Sequence, residues 1–417
     1  MIRWQASILA AAALVAAGPA VSADIEVMTQ NQYVGADLIG VVSEPDFNAA
    51  AIEFLQIRAA SLPAERARAL AALIDRRSPA LVGLQEVYLF TCVEPIPIPD
   101  DFKGCEDPSF AGAFTDQLAD TLAALGGRYV EAATVVNVDL PKALDLPPPY
   151  SFFPGLPIQV GDVTILIRVV DRDVIIARTD VAFQKIDFTE LQGVNPAICA
   201  LESVDGCNYQ EAASQDVTIW LPMPPPAGPL VKIIRTVRFE RGFVGVDAMV
   251  DGKPYRFINT HLETRLESFG PFGRYFQTAQ AYELRATLGV LQLFAPNPKQ
   301  IVVGDFNSDP RDVEEIPGIV PPYQIFSADH TDVWTRRPGT ATAKGSPLLG
   351  LSCCQDEDLG NFKSALYERV DLIFSLAPPK KVQDARVLGD SVSEKTPPVS
   401  LGVWPSDHAS VATKLTY

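Results

Sequence analysis

Short apolar runs recur from one end of the chain to the other, with helical stripes between them. Over Asp24–Met28, Ile25 and Val27 alternate with acidic neighbours, a period-two pattern that predicts a strand. Leu62, Leu70, Leu73 and Ile74 then form a stripe, and Pro63 suits a first helical turn, so a helix is predicted near Pro63–Arg77. Ala80-Leu-Val-Gly-Leu-Gln85 is continuously apolar, the signature of a strand buried on both faces. A helix is predicted over 109–126, ending at Gly126-Gly127, and another over 275–294. Strands are predicted at 162–170, 173–178, 216–221, 230–239, 243–250 and 255–260, with Asp251-Gly252 as a hairpin turn between the last two. Short apolar strands follow at 300–304 and 370–374, and a closing strand around 409–416. Proline-rich stretches at 93–99, 141–157 and 221–229 read as ordered or semi-rigid loops, because core-type strands resume on both sides. The pattern predicts one large α/β domain with two sheets.

Composition adds a compartment. Residues 1–23 read as a secretory leader, with Arg3 ahead of the apolar run Ile8–Ala17 and small residues at Val21-Ser22-Ala23, so the cut is expected after Ala23. An uncleaved N-terminal anchor is the alternative. The domain then spans 24–417, outside the cytoplasm, secreted or periplasmic. No later apolar run reaches the length of a membrane span, and no stable insertion is expected. Six cysteines in an exported chain suggest disulfides. Short loops favour Cys92–Cys105 and Cys199–Cys207. Cys353 and Cys354 are adjacent, and a bond between neighbours is strained, so they are expected free or paired elsewhere. A structural zinc site is disfavoured, since no Cys-x2-Cys pair occurs. The formal charge of −17, from 34 Lys+Arg against 51 Asp+Glu, excludes a long basic nucleic-acid tail. It does not exclude phosphate substrates, because a bound cation supplies positive charge locally.

The candidate chemistry sits at strand ends. Asn31 follows the first strand, and Glu86 follows Leu81-Val-Gly-Leu-Gln85. His261 follows Phe257-Ile-Asn-Thr260, and Asp305 and Asn307 follow Ile301-Val-Val-Gly304. Asp371 lies in Arg369-Val-Asp-Leu-Ile-Phe374, and Asp407-His408 precedes the closing strand. Rigid strands hold their ends still, so such side chains can converge. Singly, each has a plainer reading: Asp-Phe-Asn-Ser as an Asx turn, Glu86 as a solvated strand end. Together they account for two of only three histidines. The third, His330, matches no metal spacing and is expected on the surface or in a loop.

This ordered set resembles the endonuclease/exonuclease/phosphatase superfamily, whose members share a deoxyribonuclease I-like fold. The carriers are Thr29-Gln-Asn31, Leu84-Gln-Glu86-Val87, Asn259-Thr-His261-Leu262, Gly304-Asp-Phe-Asn307, Arg369-Val-Asp371 and Ser406-Asp-His408, spread over essentially the whole chain after the leader. The resemblance implies a four-layer α/β sandwich, two mixed sheets face to face with helices outside. It implies Mg²⁺ or Mn²⁺ on Glu86, helped by Asn31 and Asp407, all hard oxygen donors. It implies that Asp371 orients His408, that Asn307 and His261 donate to phosphate oxygens, and that Asp305 or His408 activates water. Asp171 is a weaker match, with a hairpin turn as its plainer reading. Arg241-Gly242 resembles a recurring Arg-Gly, or is a turn with a solvated arginine. Arg265 and Arg274, following His261, are candidate phosphate contacts.

The implied activity is phosphate-ester hydrolysis by a monomer. A phosphodiesterase with nuclease activity is placed first, although acidity opposes steering of DNA and Lys232, Arg235, Arg238 and Arg241 do not all share one strand face. A sphingomyelinase-like enzyme acting on a lipid headgroup would use exposed aromatics such as Phe269, Phe272, Tyr275, Phe276, Tyr150, Phe152 and Phe153. An inositol phosphate phosphatase and a secreted binding module with an inactive site complete the alternatives.

Overall fold

The structure, a computed structural model, describes residues 24–417 apart from 37–39, 42–43, 45, 95–103, 147, 149, 162, 223–228, 266, 339–349 and 400. The expected leader and parts of the proline-rich stretches lie outside the described residues. The first half of the chain runs β1 (Asp24–Asn31), α1 (Phe47–Ala60), α2 (Pro63–Arg77), β2 (Leu81–Gln85), β3 (Leu89–Val93), α3 (Gln117–Ala124), β4 (Tyr129–Leu140), β5 (Leu156–Val160), β6 (Val163–Arg178), β7 (Ala182–Lys185), β8 (Leu201–Ser203) and β9 (Gly206–Asn208). The second half runs β10 (Ala213–Pro222), β11 (Leu230–Phe239), β12 (Gly242–Val250), β13 (Lys253–His261), α4 (Tyr275–Phe294), β14 (Lys299–Asp305), α5 (Pro322–Ser327), β15 (Thr331–Asp332), β16 (Asp371–Ser375), β17 (Lys381–Leu388) and β18 (Ser410–Thr416).

Two eight-stranded mixed sheets result. One has the path β17-β18-β1-β2-β6-β3, with β4 and β5 also paired to β6; the other has β15-β16-β14-β13-β12-β9-β8, with β7 paired to β12. Period-two alternation explains why they stack. Ile25, Val27 and Leu81 face Phe257, Ile301, Val303 and Ile373 of the other sheet, while Met28, Val82 and Leu84 face outward onto Leu70, Leu73 and Ile74 of α2. On the far side Ile258, Val302 and Phe374 pack on Leu284 and Leu288 of α4. Each such fully buried aliphatic contributes about 1.5–3 kcal/mol. This is the four-layer α/β sandwich that the motif order implies. The β10–β11 ribbon and α1 join an additional apolar cluster with β3 and β5. Among the described residues no helix is long and apolar enough to cross a membrane.

The helices at 63–77 and 275–294 form over those spans. The expected helix over 109–126 shrinks to α3, because Asp116 caps it by accepting from the backbone N–H of Leu118 and Ala119. The expected pair of strands at 162–170 and 173–178 is instead one 16-residue strand, β6. Asp171, which has a hairpin turn as its plainer reading, lies inside this strand with Asp173, and they pair with Val138 and Val135 of β4, whose register shifts between Val136 and Val138. Cys92–Cys105 and Cys199–Cys207 are joined, with Cα separations of 5.8 and 5.1 Å inside the usual disulfide range. Cys353 and Cys354, expected free or paired elsewhere, are joined to each other. No free cysteine remains as a partner for either.

Register delivers the site. In the parallel pair β1–β2, Asn31 stands opposite Gln85, next to Glu86; in β13–β14, His261 stands opposite Asp305. The antiparallel β16 starts at Asp371 opposite Asp305, and β18 runs antiparallel to β1, so its upstream residue His408 arrives at the same edge. Gly304 permits the close approach, since a Cβ there would stand 1.9 Å from the carbonyl oxygen of Thr260. Across the two sheets, buried Asn259 accepts from Gln85 Nε2 at 2.6 Å and donates to the carbonyls of Leu84 and Val174 at 2.9 and 3.1 Å. That amide clamp satisfies polar groups in an otherwise apolar interface and holds the two halves in register.

Candidate active site

Asp305 occupies the centre. Its Oδ1 accepts from the backbone N–H of Asn307 at 2.8 Å, and its Oδ2 accepts from Asn31 Nδ2 at 3.1 Å. The same Oδ2 lies 3.6 Å from His261 Nε2 and 3.7 Å from His408 Nε2. One carboxylate oxygen thus faces both imidazoles. Burial pushes the Asp305 carboxyl above its ordinary range, and His408 opposes that push.

His408 is held from the other side by Asp371, whose Oδ2 lies 2.8 Å from Nδ1. This geometry places a proton on Nδ1 and directs Nε2 toward Asp305. Burial alone would drive the ring neutral. The carboxylates of Asp371, Asp407 and Asp305 together overcome that and hold His408 well above its ordinary value.

His261 is the opposite case. Burial, then the cations Arg241 and His408, hold it well below its ordinary value. Arg241 donates to Nδ1 at 3.1 Å, which leaves the ring proton on Nε2, facing Asp305. Behind it lies a buried charge network. Arg241 stands 3.6 Å from Asp171 and 3.7 Å from Glu263, Asn137 Nδ2 donates to Asp173 at 3.0 Å, and Asp173 stands 3.9 Å from His261 Nδ1. Asp171 is therefore not the turn residue of its plainer reading. It is 3% exposed and serves as a counter-charge to Arg241. Arg241 is not a solvated turn arginine. Asp173, Asn137 and Glu263 escaped the sequence reading, where the only signal was a charged triplet inside a strand otherwise apolar.

Glu86 faces the site from β2 in the left-handed region, φ 52°, as does Asn307, φ 47°. Both hold a conformation non-glycine residues seldom adopt, which the surrounding hydrogen bonds enforce. Glu86 Oε1 accepts from Asn31 Nδ2 and Oε2 from the Val34 N–H, both at 3.1 Å. Two buried arginines fix that loop. Arg66 donates to the carbonyls of Gln32 and Tyr33 at 3.0 and 3.2 Å, and Arg58 donates to the carbonyl of Val34. Gly35, φ 99°, lets the loop lie against them; a Cβ there would stand 2.6 Å from Ser61 Oγ.

Oxygen donors fit a hard divalent cation at Glu86 and Asp407. Burial raises the Asp407 carboxyl to about 7; His408 opposes the rise and Glu86 adds to it. Neighbouring carboxylates in such a state are what a divalent ion neutralises. Asn31 adds a positioning contact to its expected ligand role. Its carbonyl oxygen accepts from the Tyr33 N–H at 2.9 Å, so its NH2 faces Glu86 and Asp305 and positions them. A second convergence, Asp305, Asp371 and His408 with ligand atoms within 4.8 Å of one another, is a hydrogen-bonded acid–imidazole chain, since His408 Nδ1 is already engaged by Asp371.

Asn307 donates to the Leu262 carbonyl at 2.8 Å beside His261 Nε2, so it sits at the site as expected. Arg265 and Arg274 do not join it. Arg265 pairs with Glu368 at 2.6 Å and Asp312 at 3.2 Å, and Arg274 lies 3.6 Å from Asp312 and 3.5 Å from Glu315. His330 lies in the loop between α5 and β15, one of its two expected placements, but not at the surface. It is 6% exposed, bonded to Asp329 at 2.6 Å and packed on the Phe326 ring, because α5 folds that end of the chain onto the second sheet.

No protein-family model and no curated protein matches the chain. Similar solved structures include the mannosyl-6-phosphatase Bt3783 of Bacteroides thetaiotaomicron, 16% identical, with TM-score 0.47, covering 94% of this chain and 100% of that one. Another is an endonuclease/exonuclease/phosphatase family protein of Bacteroides thetaiotaomicron, 17% identical, TM-score 0.45, covering 95% and 98%. A third is truncated Caenorhabditis elegans TDP2, 13% identical, TM-score 0.45, covering 94% and 98%.

Proposed function

We propose that the protein is an exported, divalent-metal-dependent phosphoester hydrolase of the endonuclease/exonuclease/phosphatase type, acting on a phosphodiester. One observation carries the reading: Asp305 Oδ2 lies between an imidazole that keeps its proton and one that does not, beside the Glu86–Asp407 carboxylates. Glu86 and Asp407 would hold Mg²⁺ or Mn²⁺, which supplies Lewis-acid charge against the phosphoryl and leaving oxygens. Asp305 takes a proton from the attacking water, because His408 already carries its own. The water oxygen bonds to phosphorus as the ester oxygen leaves, and that oxygen is protonated from solvent. Protonated His408 and the Nε2–H of His261 donate to phosphoryl oxygens as charge builds there, with the Asn307 amide beside them. The two spaced disulfides support export.

The pairing of Arg265 and Arg274 with carboxylates removes two of the cationic contacts a long polyanion needs. That moves the substrate away from duplex DNA and toward esters recognised at one phosphate. Mg²⁺-dependent hydrolysis of bis-p-nitrophenyl phosphate tests the activity: wild type should turn over and His408→Ala should not. Equal rates would end the enzyme reading. Plasmid DNA, sphingomyelin and inositol phosphates then divide the substrate classes, and nicking of plasmid at low salt would restore the nuclease to first place.

A further inference from the structure

The adjacent cysteines have no part in the proposed hydrolysis, yet they border its imidazole. The sulfur atoms of Cys353 and Cys354 and a ring nitrogen of His408 lie within 4.8 Å of one another. We propose that Cys353 and Cys354, once reduced, form with His408 an inhibitory site for a thiophilic divalent cation of the zinc class. As a regulatory site, it rests on the function proposed above; as a binding site it does not.

The surrounding backbone keeps the three groups together without help from the sulfur–sulfur bond. Residues 352–355 are laced between the two segments that carry Asp371 and His408. Ser352 and Cys353 donate their N–H groups to the Glu368 carbonyl at 2.7 and 3.0 Å, and Ser352 Oγ accepts from the N–H of Val370 and Asp371 at 3.2 and 3.1 Å. On the other side Gln355 N–H donates to the Asp407 carbonyl at 2.8 Å, and Ala409 N–H donates to the Ser352 carbonyl at 2.7 Å. Opening the disulfide breaks none of these bonds. Access is one-sided, because Cys353 is 6% exposed while Cys354 is only partly buried.

A dithiol reductant supplies both electrons. Its thiolate attacks the Cys354 sulfur and expels Cys353 as a thiolate, which takes a proton. Its second thiol then displaces Cys354, so the reductant leaves as a disulfide and the chain holds two thiols. A zinc-class ion then displaces three protons, two from the thiols and one from protonated His408, and binds two thiolates with one imidazole, a soft donor set distinct from the oxygen donors at Glu86 and Asp407. Occupying His408 in this way withdraws it from phosphate.

The test uses the full chain, reduced with a phosphine that is oxidised to its oxide, then freed of reductant and titrated with Zn²⁺ against a colorimetric chelator. Reduced wild type should bind one more zinc than oxidised wild type. The double variant Cys353→Ser/Cys354→Ser, reduced alike, should lack that increment, and His408→Ala should bind the extra zinc at least about tenfold more weakly. In the activity arm, zinc should suppress Mg²⁺-dependent hydrolysis by about tenfold or more in reduced wild type, reversibly with a chelator, and spare the double variant. Equal zinc uptake by reduced wild type and the double variant would overturn the proposal, as would unchanged affinity in His408→Ala. Zinc uptake as expected in a chain that hydrolyses no phosphoester would leave the cation site standing and sink the hydrolase reading instead.

Discussion

His261 and His408 stand on either side of one carboxylate oxygen, both buried, and their surroundings push them in opposite directions. His261 backs onto an arginine whose counter-charges, Asp171 and Glu263, lie beyond it; His408 backs directly onto an aspartate. Burial is common to both and favours the neutral ring in each. The sign of the nearest neighbour decides the outcome. Two like side chains thereby become a proton-bearing cation and a neutral donor on either side of one carboxylate, the separation of titrating groups that the proposed acid–base chemistry needs.

Breaking the His408 side should have the largest effect. His408→Ala should lower the hydrolysis of bis-p-nitrophenyl phosphate on the order of 10³-fold, read as kcat, with the fold intact by circular dichroism. Breaking the His261 side should cost stability first. Arg241→Met leaves Asp171 and Glu263 buried without their cation, and denaturant unfolding should register a loss of about 3 kcal/mol. Glu86→Gln leaves both imidazoles alone, so it sharpens the comparison. It should raise the Mg²⁺ concentration for half-maximal activity by roughly 10- to 100-fold while the pH profile keeps its shape.

How far the site was readable depends on what kind of residue made it. Glu86, Asp305, Asp371 and His408 stand at strand ends, where an apolar run stops on a polar residue, and that boundary is visible in one dimension. Asn137 and Asp173 lie inside β4 and β6, where nothing marks a buried polar group except the partner it meets in space. Asp171 therefore reads as a hairpin turn in one dimension, and β6 reads as two strands, 162–170 and 173–178. The arginines of α1 and α2 were hidden for a related reason. Helical arginines are ordinarily solvated, and only the loop 32–35 folding over Arg58 and Arg66 makes them internal supports for Glu86. Asn31 shows a finer limit: its position was legible, but which end of its amide faces the carboxylates was not.

A smaller effect follows from Asp407. Its carboxyl is raised to about 7 in the folded chain, above its ordinary value, so between about 4 and 7 the folded chain keeps a proton that the unfolded chain releases. Raising the pH through that window therefore withdraws stability from this group. Without divalent ions, Asp407→Asn should flatten the fall in melting temperature across the window by an amount on the order of 2 °C, and Mg²⁺ should raise the wild-type melting temperature most at its upper end.

The most direct test reads both rings at once. With three histidines in the chain, nitrogen chemical shifts of the metal-free protein can be assigned by single substitutions and followed with pH. His408 should keep its proton above the ordinary midpoint of about 6.5, while His261 should stay neutral well below it. Two rings titrating together near about 6.5 would contradict this.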